Sequence, residues 1–190
     1  MFLIEDDIKA CIETLQKGGL ILYPTDTVWG IGCDATNKEA ISKIFALKNR
    51  EDAKAMIVLI EAESAILEYV ENPAPTIFDY IKGVHKPTTI IYNKAKNLPS
   101  NLLLSDGSVA IRICSDPFCK KLIKHFGKPI VSTSANISGY PTPLLFKDIP
   151  LEIIEGVDYV VKHRQEENEL RQPSSIVKWD LNGALIIIRP

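Results

Sequence analysis

Two short polar segments carry the side chains best suited to binding an anionic ligand. Lys48 and Arg50 place two cations close together, just beyond a predicted helix. Residues 132–136, with the sequence STSAN, bring three hydroxyl groups and one amide together after a short apolar run. Cationic groups pair with phosphate or carboxylate oxygens, and hydroxyl and amide groups add hydrogen bonds to the same oxygens. Taken alone, each segment is more often structural, because basic residues complement helix C-termini and Ser or Thr caps helices.

Two arginines beside apolar strands raise a related question. Arg112 lies between Ile111 and Ile113, where burying a guanidinium is costly unless an anion accompanies it. Either a bound ligand or a structural salt bridge would supply that anion. Arg189 follows three consecutive isoleucines and raises the same question. The alternative to an anion-binding role is that Arg189 is a cation at the solvent-exposed end of a strand. Trp29 has two interpretations as well, since it either caps the core or lines a pocket.

The common nucleotide-binding and hydrolase motifs are absent from the sequence. Residues 30–32 (GIG) lack the third glycine of the dinucleotide-binding fingerprint. No GxxxxGK(S/T), HExxH or GxSxG motif occurs. A phosphate site, if the chain has one, must therefore be built from Lys, Arg, Ser and Asn side chains, with help from backbone N–H groups in polar loops.

Cysteine and histidine spacing gives no support for a metal site or a His-based triad. No CxxC pair occurs, and no histidine lies at zinc-ligand spacing from a cysteine. Free thiols, buried or half-buried, are the expected state of the cysteines. The residues concerned are Cys11, Cys33, Cys114 and Cys119, with His85, His125 and His163.

The composition is typical of one globular domain over residues 1–190, with 46% hydrophobic residues and a net charge of −2. This charge predicts no general attraction to nucleic acid or to anionic membranes. The N-terminus lacks the basic start of a signal peptide, and no apolar run reaches the roughly 18 residues of a membrane span. We therefore expect a cytoplasmic protein without membrane contact.

Apolar periodicity and turn residues predict an α/β domain with a twisted, mixed sheet and flanking helices. Two predicted strands lead directly into polar loops, at residues 24–30 and 132–136, and loops in such positions commonly bind ligands. Predicted helices cover residues 6–17, 38–48, 64–70, 75–82 and 116–126. Predicted strands cover residues 20–23, 56–60, 88–92, 109–114, 130–131, 159–162, 175–179 and 184–188, with a loop over 139–150.

Taken in order, these segments resemble the YrdC/Sua5 family, the threonylcarbamoyl-adenylate synthases, in the short single-domain form. The resemblance extends over nearly the whole chain, which makes it more specific than any single motif. It rests on residues 23–35 (YPTDTVWGIGCDA), 48–50 (KNR), 109–112 (VAIR), 133–139 (TSANISG), 173–177 (PSSIV) and 188–190 (IRP). Trp29 stands where the family usually has tyrosine.

The resemblance implies an open YrdC-like sheet with a concave central cavity and the synthesis of threonylcarbamoyl-AMP and pyrophosphate. The substrates would be L-threonine, bicarbonate and ATP, with Mg²⁺ accompanying ATP. The product would serve the t6A modification of transfer RNA through partner proteins. Carried over by position, Lys48 and Arg50 would be catalytic. Threonine would contact Thr25, Trp29, Arg112, Ser132 and Ser175, and ATP would contact Ser108, Ser134, Asn136, Thr142 and Arg189.

Two other functions remain open from the sequence. A concave basic surface of this kind also suits a non-catalytic protein that binds double-stranded RNA or transfer RNA, although the acidic balance of the chain disfavours it. The second possible function is that of a carbamoyl-transfer domain like the one in hydrogenase-maturation proteins. In those proteins the domain is fused to further domains. Threonine-dependent consumption of ATP separates all three.

Overall fold

A computed structural model describes residues 4–49, 56–180 and 183–190 of the chain, and six α-helices and nine strands lie in these ranges. The helices are α1 (Ile4–Gln16), α2 (Lys38–Leu47), α3 (Ile66–Tyr69), α4 (Pro75–Gly83), α5 (Pro117–Phe126) and α6 (Leu151–Glu155). The strands are β1 (Ile21–Tyr23), β2 (Gly30–Gly32), β3 (Ile57–Ile60), β4 (Thr88–Tyr92), β5 (Val109–Ile113), β6 (Ile130–Ser134), β7 (Tyr159–Val160), β8 (Ser175–Trp179) and β9 (Leu185–Arg189). Single 3-10 turns occupy Glu63–Ala65, Ser100–Leu102 and Phe146–Asp148.

All nine strands join one mixed sheet in the order β7-β1-β2-β6-β3-β5-β4-β8-β9. The pairs β1·β7, β3·β5 and β4·β8 are parallel, and the other five neighbouring pairs are antiparallel. The prediction of a mixed α/β sheet is therefore confirmed. Because strands distant in sequence become neighbours, residues from both ends of the chain meet over the middle of the sheet.

Helix boundaries follow the local signals in the sequence. The Asn37 side chain accepts a hydrogen bond from the Ala40 N–H at 3.0 Å and so caps α2. Asp116 caps α5 in the same way through Cys119 N–H at 3.0 Å. Helix α5 ends at Gly127, whose φ of 73° lies in the left-handed region that glycine adopts without strain.

Strand β2 is the main element that the sequence did not predict, since the segment leading to Gly30 was interpreted as a turn. A β-carbon added at Gly32 would lie 2.6 Å from a ring carbon of Tyr23 and 2.7 Å from the Val131 carbonyl oxygen. The strand therefore needs glycine for close packing, and glycine leaves no side-chain alternation to detect. Helix α6, which follows the predicted 139–150 loop, was not predicted either.

The core is formed by apolar side chains on both faces of the sheet and by the buried faces of α1, α2 and α5. All four cysteines are free and buried in it, which confirms the expectation of free thiols. Burial raises the pKa of the Cys33 thiol and of the Cys119 thiol, so both stay protonated near neutral pH. Within the described residues, no helix is both long and apolar enough to cross a bilayer.

Candidate functional site

A cavity of about 210 Å³ opens over one face of the central strands. Strands β2 to β6, β8 and β9 all contribute to its walls, together with the loops that precede β2 and β8. The lining residues are Thr27, Val28, Trp29, Gly30, Met56, Ile57, Ile91, Ala110, Arg112, Ser132, Thr133, Ser134, Thr142, Pro173, Ser174, Ile176 and Arg189. The cavity thus collects residues from five of the six segments on which the sequence analysis relied.

The described part of the cavity wall is positively charged. Among the described lining residues, Arg112 and Arg189 are the charged side chains, and none of these residues carries a carboxylate. Burial, and then the nearby charge of Arg112, lower the pKa of Arg189 from its ordinary value. The Arg189 guanidinium nevertheless stays charged near neutral pH. Two like charges beside hydroxyl groups favour an anionic ligand in this cavity.

Asp26 forms an ion pair with Arg112 at 3.1 Å, and both side chains are almost fully buried, at 5% and 3% exposure. The second carboxylate oxygen of Asp26 accepts hydrogen bonds from the backbone N–H and the hydroxyl of Ser115. Among the described residues, Arg112 Nε has no hydrogen-bond partner although it is buried. Arg112 therefore has the structural salt bridge that the sequence left open, and it also lines the cavity.

Ser174 lines the cavity, whereas its neighbour Ser175, which was predicted to contact threonine, does not. The Ser174 hydroxyl lies 2.8 Å from that of Thr89, and its carbonyl accepts a hydrogen bond from Arg189 Nε at 2.9 Å. Ser175 pairs in register with Thr88 on the opposite face of the sheet. The structure therefore places Ser175 away from the cavity. Ser174 is the first serine of the PSSIV segment. Successive side chains of a strand point to opposite faces, and this alternation would have distinguished Ser174 from Ser175.

Lys48 lies behind the cavity instead of lining it. Its side chain is buried, and its ammonium group donates to the carbonyl oxygen of Ser134 and, at 2.6 Å, to that of Asn136. The Ser134 hydroxyl in turn donates to Asn136 Oδ1 at 2.5 Å. Lys48 therefore fixes the end of β6, from which Ser134 reaches the cavity. Arg50, the other predicted catalytic cation, lies outside the described residues.

Two more predicted ligand residues face their own loops. Thr25 is buried, donates to the Val28 carbonyl at 2.8 Å and accepts from the Thr27 N–H at 3.0 Å, which shapes the turn before β2. The Ser108 hydroxyl donates to Asp106 in the turn before β5. Neither lines the cavity, and Asn136 does not line it either.

Trp29 packs against the core and also lines the cavity, so both interpretations of this residue apply. Its indole is 5% exposed, and the ring centroid lies 4.8 Å from that of Phe146 in a tilted arrangement. Such a contact fixes an aromatic ring in place. Ser132 and Thr142 complete the set of predicted residues that the structure brings to this wall.

Comparisons with known proteins support the resemblance that the sequence motifs indicated. Residues 13–190 match the family model Sua5_yciO_yrdC, described as telomere recombination. The chain is 35% identical over 182 residues to a threonylcarbamoyl-AMP synthase of Pseudoalteromonas translucida, covering 94% of this chain and 96% of that one. It is 31% identical over 175 residues to the Vibrio parahaemolyticus protein of the same name, covering 90% and 93%.

Solved structures show the same fold. A P. abyssi Sua5 complexed with L-threonine superposes with a TM-score of 0.86 at 21% identity, over 100% of this chain and 55% of that one. The chain thus spans about half the length of that protein. E. coli YciO superposes with a TM-score of 0.83 at 21% identity, over 98% of this chain and 89% of that one.

Proposed function

The chain belongs to the Sua5/YciO/YrdC family, and from this premise we propose that it is a threonylcarbamoyl-AMP synthase, an enzyme of the nucleotidyltransferase class. Its substrates would be L-threonine, bicarbonate and ATP, and its products threonylcarbamoyl-AMP and pyrophosphate. The observation that carries the proposal is the cavity itself, in which two arginines and several hydroxyls converge and no described lining residue carries a carboxylate. Partner proteins would then transfer the threonylcarbamoyl group to transfer RNA.

The chemistry requires positioning more than a protein nucleophile. Threonine's amine combines with bicarbonate to give a carbamate and water. A carbamate oxygen then attacks the α-phosphorus of ATP, an O–P bond forms, and the bond to the β-phosphate oxygen breaks to release pyrophosphate. Holding the two reactants in contact and neutralising their combined negative charge lowers the barrier of such a step.

The cavity residues divide between the two substrates. Arg112 would bind the threonine carboxylate with donors that Asp26 leaves unused, Ser132 would add a hydrogen bond, and Trp29 would close the pocket. Arg189, Ser134 and Thr142 would surround the nucleotide, with Ser174 between the two sites. Lys48 would act from behind by fixing Ser134 and Asn136, and Arg50 remains a proposed catalytic cation.

Magnesium would enter with ATP. The described residues hold no group of three His, Cys, Asp or Glu side chains that could bind a metal ion. None of the described residues that line the cavity carries a carboxylate, so the donors described there suit phosphate oxygens better than a divalent cation. We therefore treat Mg²⁺–ATP as the substrate, with the phosphates as the main ligands of the ion.

The decisive experiment mixes the purified protein with ATP, bicarbonate and labelled L-threonine and searches for threonylcarbamoyl-AMP by mass. We expect pyrophosphate release that depends on both threonine and bicarbonate, and much less with valine, which leaves the polar partners of the threonine hydroxyl unpaired. Absence of threonine-dependent pyrophosphate would contradict the proposal. Double-stranded RNA binding that falls steeply with salt, without any turnover, would instead support the RNA-binding alternative. The names of the curated relatives favour the synthase.

Ser174 and Ser175 offer a matched pair of variants. Ser174→Ala removes a hydroxyl from the cavity wall, and we expect it to raise a substrate KM by about 3- to 10-fold, as for the loss of one hydrogen bond. Ser175→Ala removes a hydroxyl from the opposite face of the sheet. The KM values for threonine and ATP should both stay within about twofold of the wild-type values. Steady-state pyrophosphate release measures both. A larger effect at Ser175 would mean that the face assignment is wrong.

Lys48→Met tests the supporting role of the buried ammonium group. The carbonyl oxygens of Ser134 and Asn136 lose a donor, so the free energy of unfolding should fall by about 1–3 kcal/mol and the KM for ATP should rise. Lys43→Met is the control, because Lys43 also donates to a main-chain carbonyl, that of Gly18 at 2.7 Å, away from the cavity. Urea denaturation and initial rates measure the two effects. An unchanged ATP KM in Lys48→Met would refute the role.

A further inference from the structure

A second cavity of about 200 Å³ lies on the opposite face of the same sheet. Successive side chains of a strand point to opposite faces, so Ala110 and Arg112 of β5 reach the candidate site while Ile111 and Ile113 reach the other side. Helices α4 and α5 flank this second space, which we call the reverse cavity. Its lining residues are Asp26, Tyr80, Ile81, Val84, His85, Lys86, Pro87, Thr88, Ile90, Tyr92, Ile111, Ile113, Cys114, Ser115 and Lys120.

The reverse cavity is a cleft that opens to solvent, and its volume equals that of the candidate site within about 10 Å³. The two spaces therefore offer similar room to a small organic molecule.

The floor of the reverse cavity is apolar. Ile90, Ile111 and Tyr92 of the sheet are buried, and Ile113 is half-buried beside them. Burial raises the pKa of the Tyr92 hydroxyl, which therefore adds no negative charge. An aliphatic or aromatic group placed on this floor would gain the free energy of removing apolar surface from water.

The rim of the reverse cavity is basic. The exposed side chains of His85, Lys86 and Lys120 lie around it, and neither lysine forms an ion pair with any described residue. Asp26 is the one acidic residue among the described lining residues, and its charge is offset by Arg112 and by the two donors of Ser115. Two ammonium groups without an acidic partner beside an apolar floor are complementary to an anion that carries an apolar group.

We propose that the reverse cavity binds a small organic carboxylate whose apolar group rests on Ile90, Ile111 and Ile113 and whose carboxylate lies between Lys86 and Lys120. This site is separate from the candidate site, because the sheet lies between them. The proposal does not depend on the synthase activity, and its experiment needs neither ATP nor threonine.

Three probes with the same ring and different charge test the proposal. Benzoate, benzamide and benzylamine are titrated separately against the full chain, and binding is followed by ligand-detected saturation-transfer NMR. We expect benzoate to bind more tightly than benzamide and benzylamine not to bind. Equal affinity for benzoate and benzamide would overturn the proposal, because the basic rim would then have no role.

Variants locate the binding. Lys120→Glu reverses a charge on an exposed helix face and should weaken benzoate by about tenfold or more, whereas Lys9→Glu on α1 should leave it unchanged. Val84→Trp should remove binding by filling the space next to α4, with circular dichroism as the check of folding. Arg189→Ala should leave benzoate affinity unchanged. Loss of binding in Arg189→Ala, or displacement of benzoate by ATP, would place the anion in the candidate site and refute the proposal.

Discussion

Arg112→Ala is expected to lower kcat/KM for L-threonine by about 100-fold or more, because truncating one partner of a desolvated charge contact costs about 2–5 kcal/mol. The Arg112 side chain is 3% exposed and lines the cavity, and its buried Nε has no hydrogen-bond partner among the described residues. Pyrophosphate release at saturating ATP and varied threonine measures the effect. Arg112→Lys keeps the charge and loses the planar fork of the guanidinium, so its activity should lie between those of the wild type and Arg112→Ala.

The control for this prediction is the second substrate. If Arg112 binds the threonine carboxylate, the KM for ATP in Arg112→Lys should stay within about twofold of the wild-type value. Equal changes in both KM values would indicate a general disturbance of the sheet. A threonine KM that does not change in Arg112→Ala, with the fold intact by circular dichroism, would remove Arg112 from the threonine site.

Asp26→Asn is expected to lower the free energy of unfolding by about 3–5 kcal/mol, which is typical when a buried ion pair loses one charge. The Asp26 carboxylate accepts an ion-pair contact from Arg112 and two hydrogen bonds from Ser115, and removing its charge leaves the Arg112 charge buried without compensation. Urea denaturation followed by circular dichroism measures the change.

A double variant separates the cost of an unpaired charge from the value of the pair. Asp26→Asn combined with Arg112→Met removes both charges, and its loss of stability should be smaller than the sum of the two single losses. Additive losses would mean that the two side chains act independently, contrary to their 3.1 Å contact.

Some strands were predictable from the sequence. Strands β4 and β8 begin and end at the residues that the sequence predicted, 88–92 and 175–179. Strand β2 was not predicted, because its glycines give no alternation. Strand β6 extends through Ser134, so its hydroxyls are presented by a paired strand, whereas the sequence indicated a loop. The extension of β6 depends on its pairing with β2 and β3, which no local feature of the sequence indicates.

The candidate site was predictable in its composition and less so in its geometry. Trp29, Arg112, Ser132, Ser134, Thr142 and Arg189 do converge on one cavity. Ser175 differs from Ser174 by a single position, but in a strand this moves a side chain to the other face. Lys48 has the expected charge, yet its ammonium group lies behind the cavity, where it donates to the carbonyls of Ser134 and Asn136. The motifs identify which residues belong to the site, whereas the direction of each side chain depends on how the strands pair.

The order of the strands has a consequence for how the protein is made. The cavity needs Thr27 near one end of the sequence and Arg189 near the other, and β9 lies at an edge of the sheet. During translation, a ribosome-bound chain lacking β9 would have most of the sheet but only part of the pocket. Substrate therefore stabilises the finished protein but does not assist its early folding.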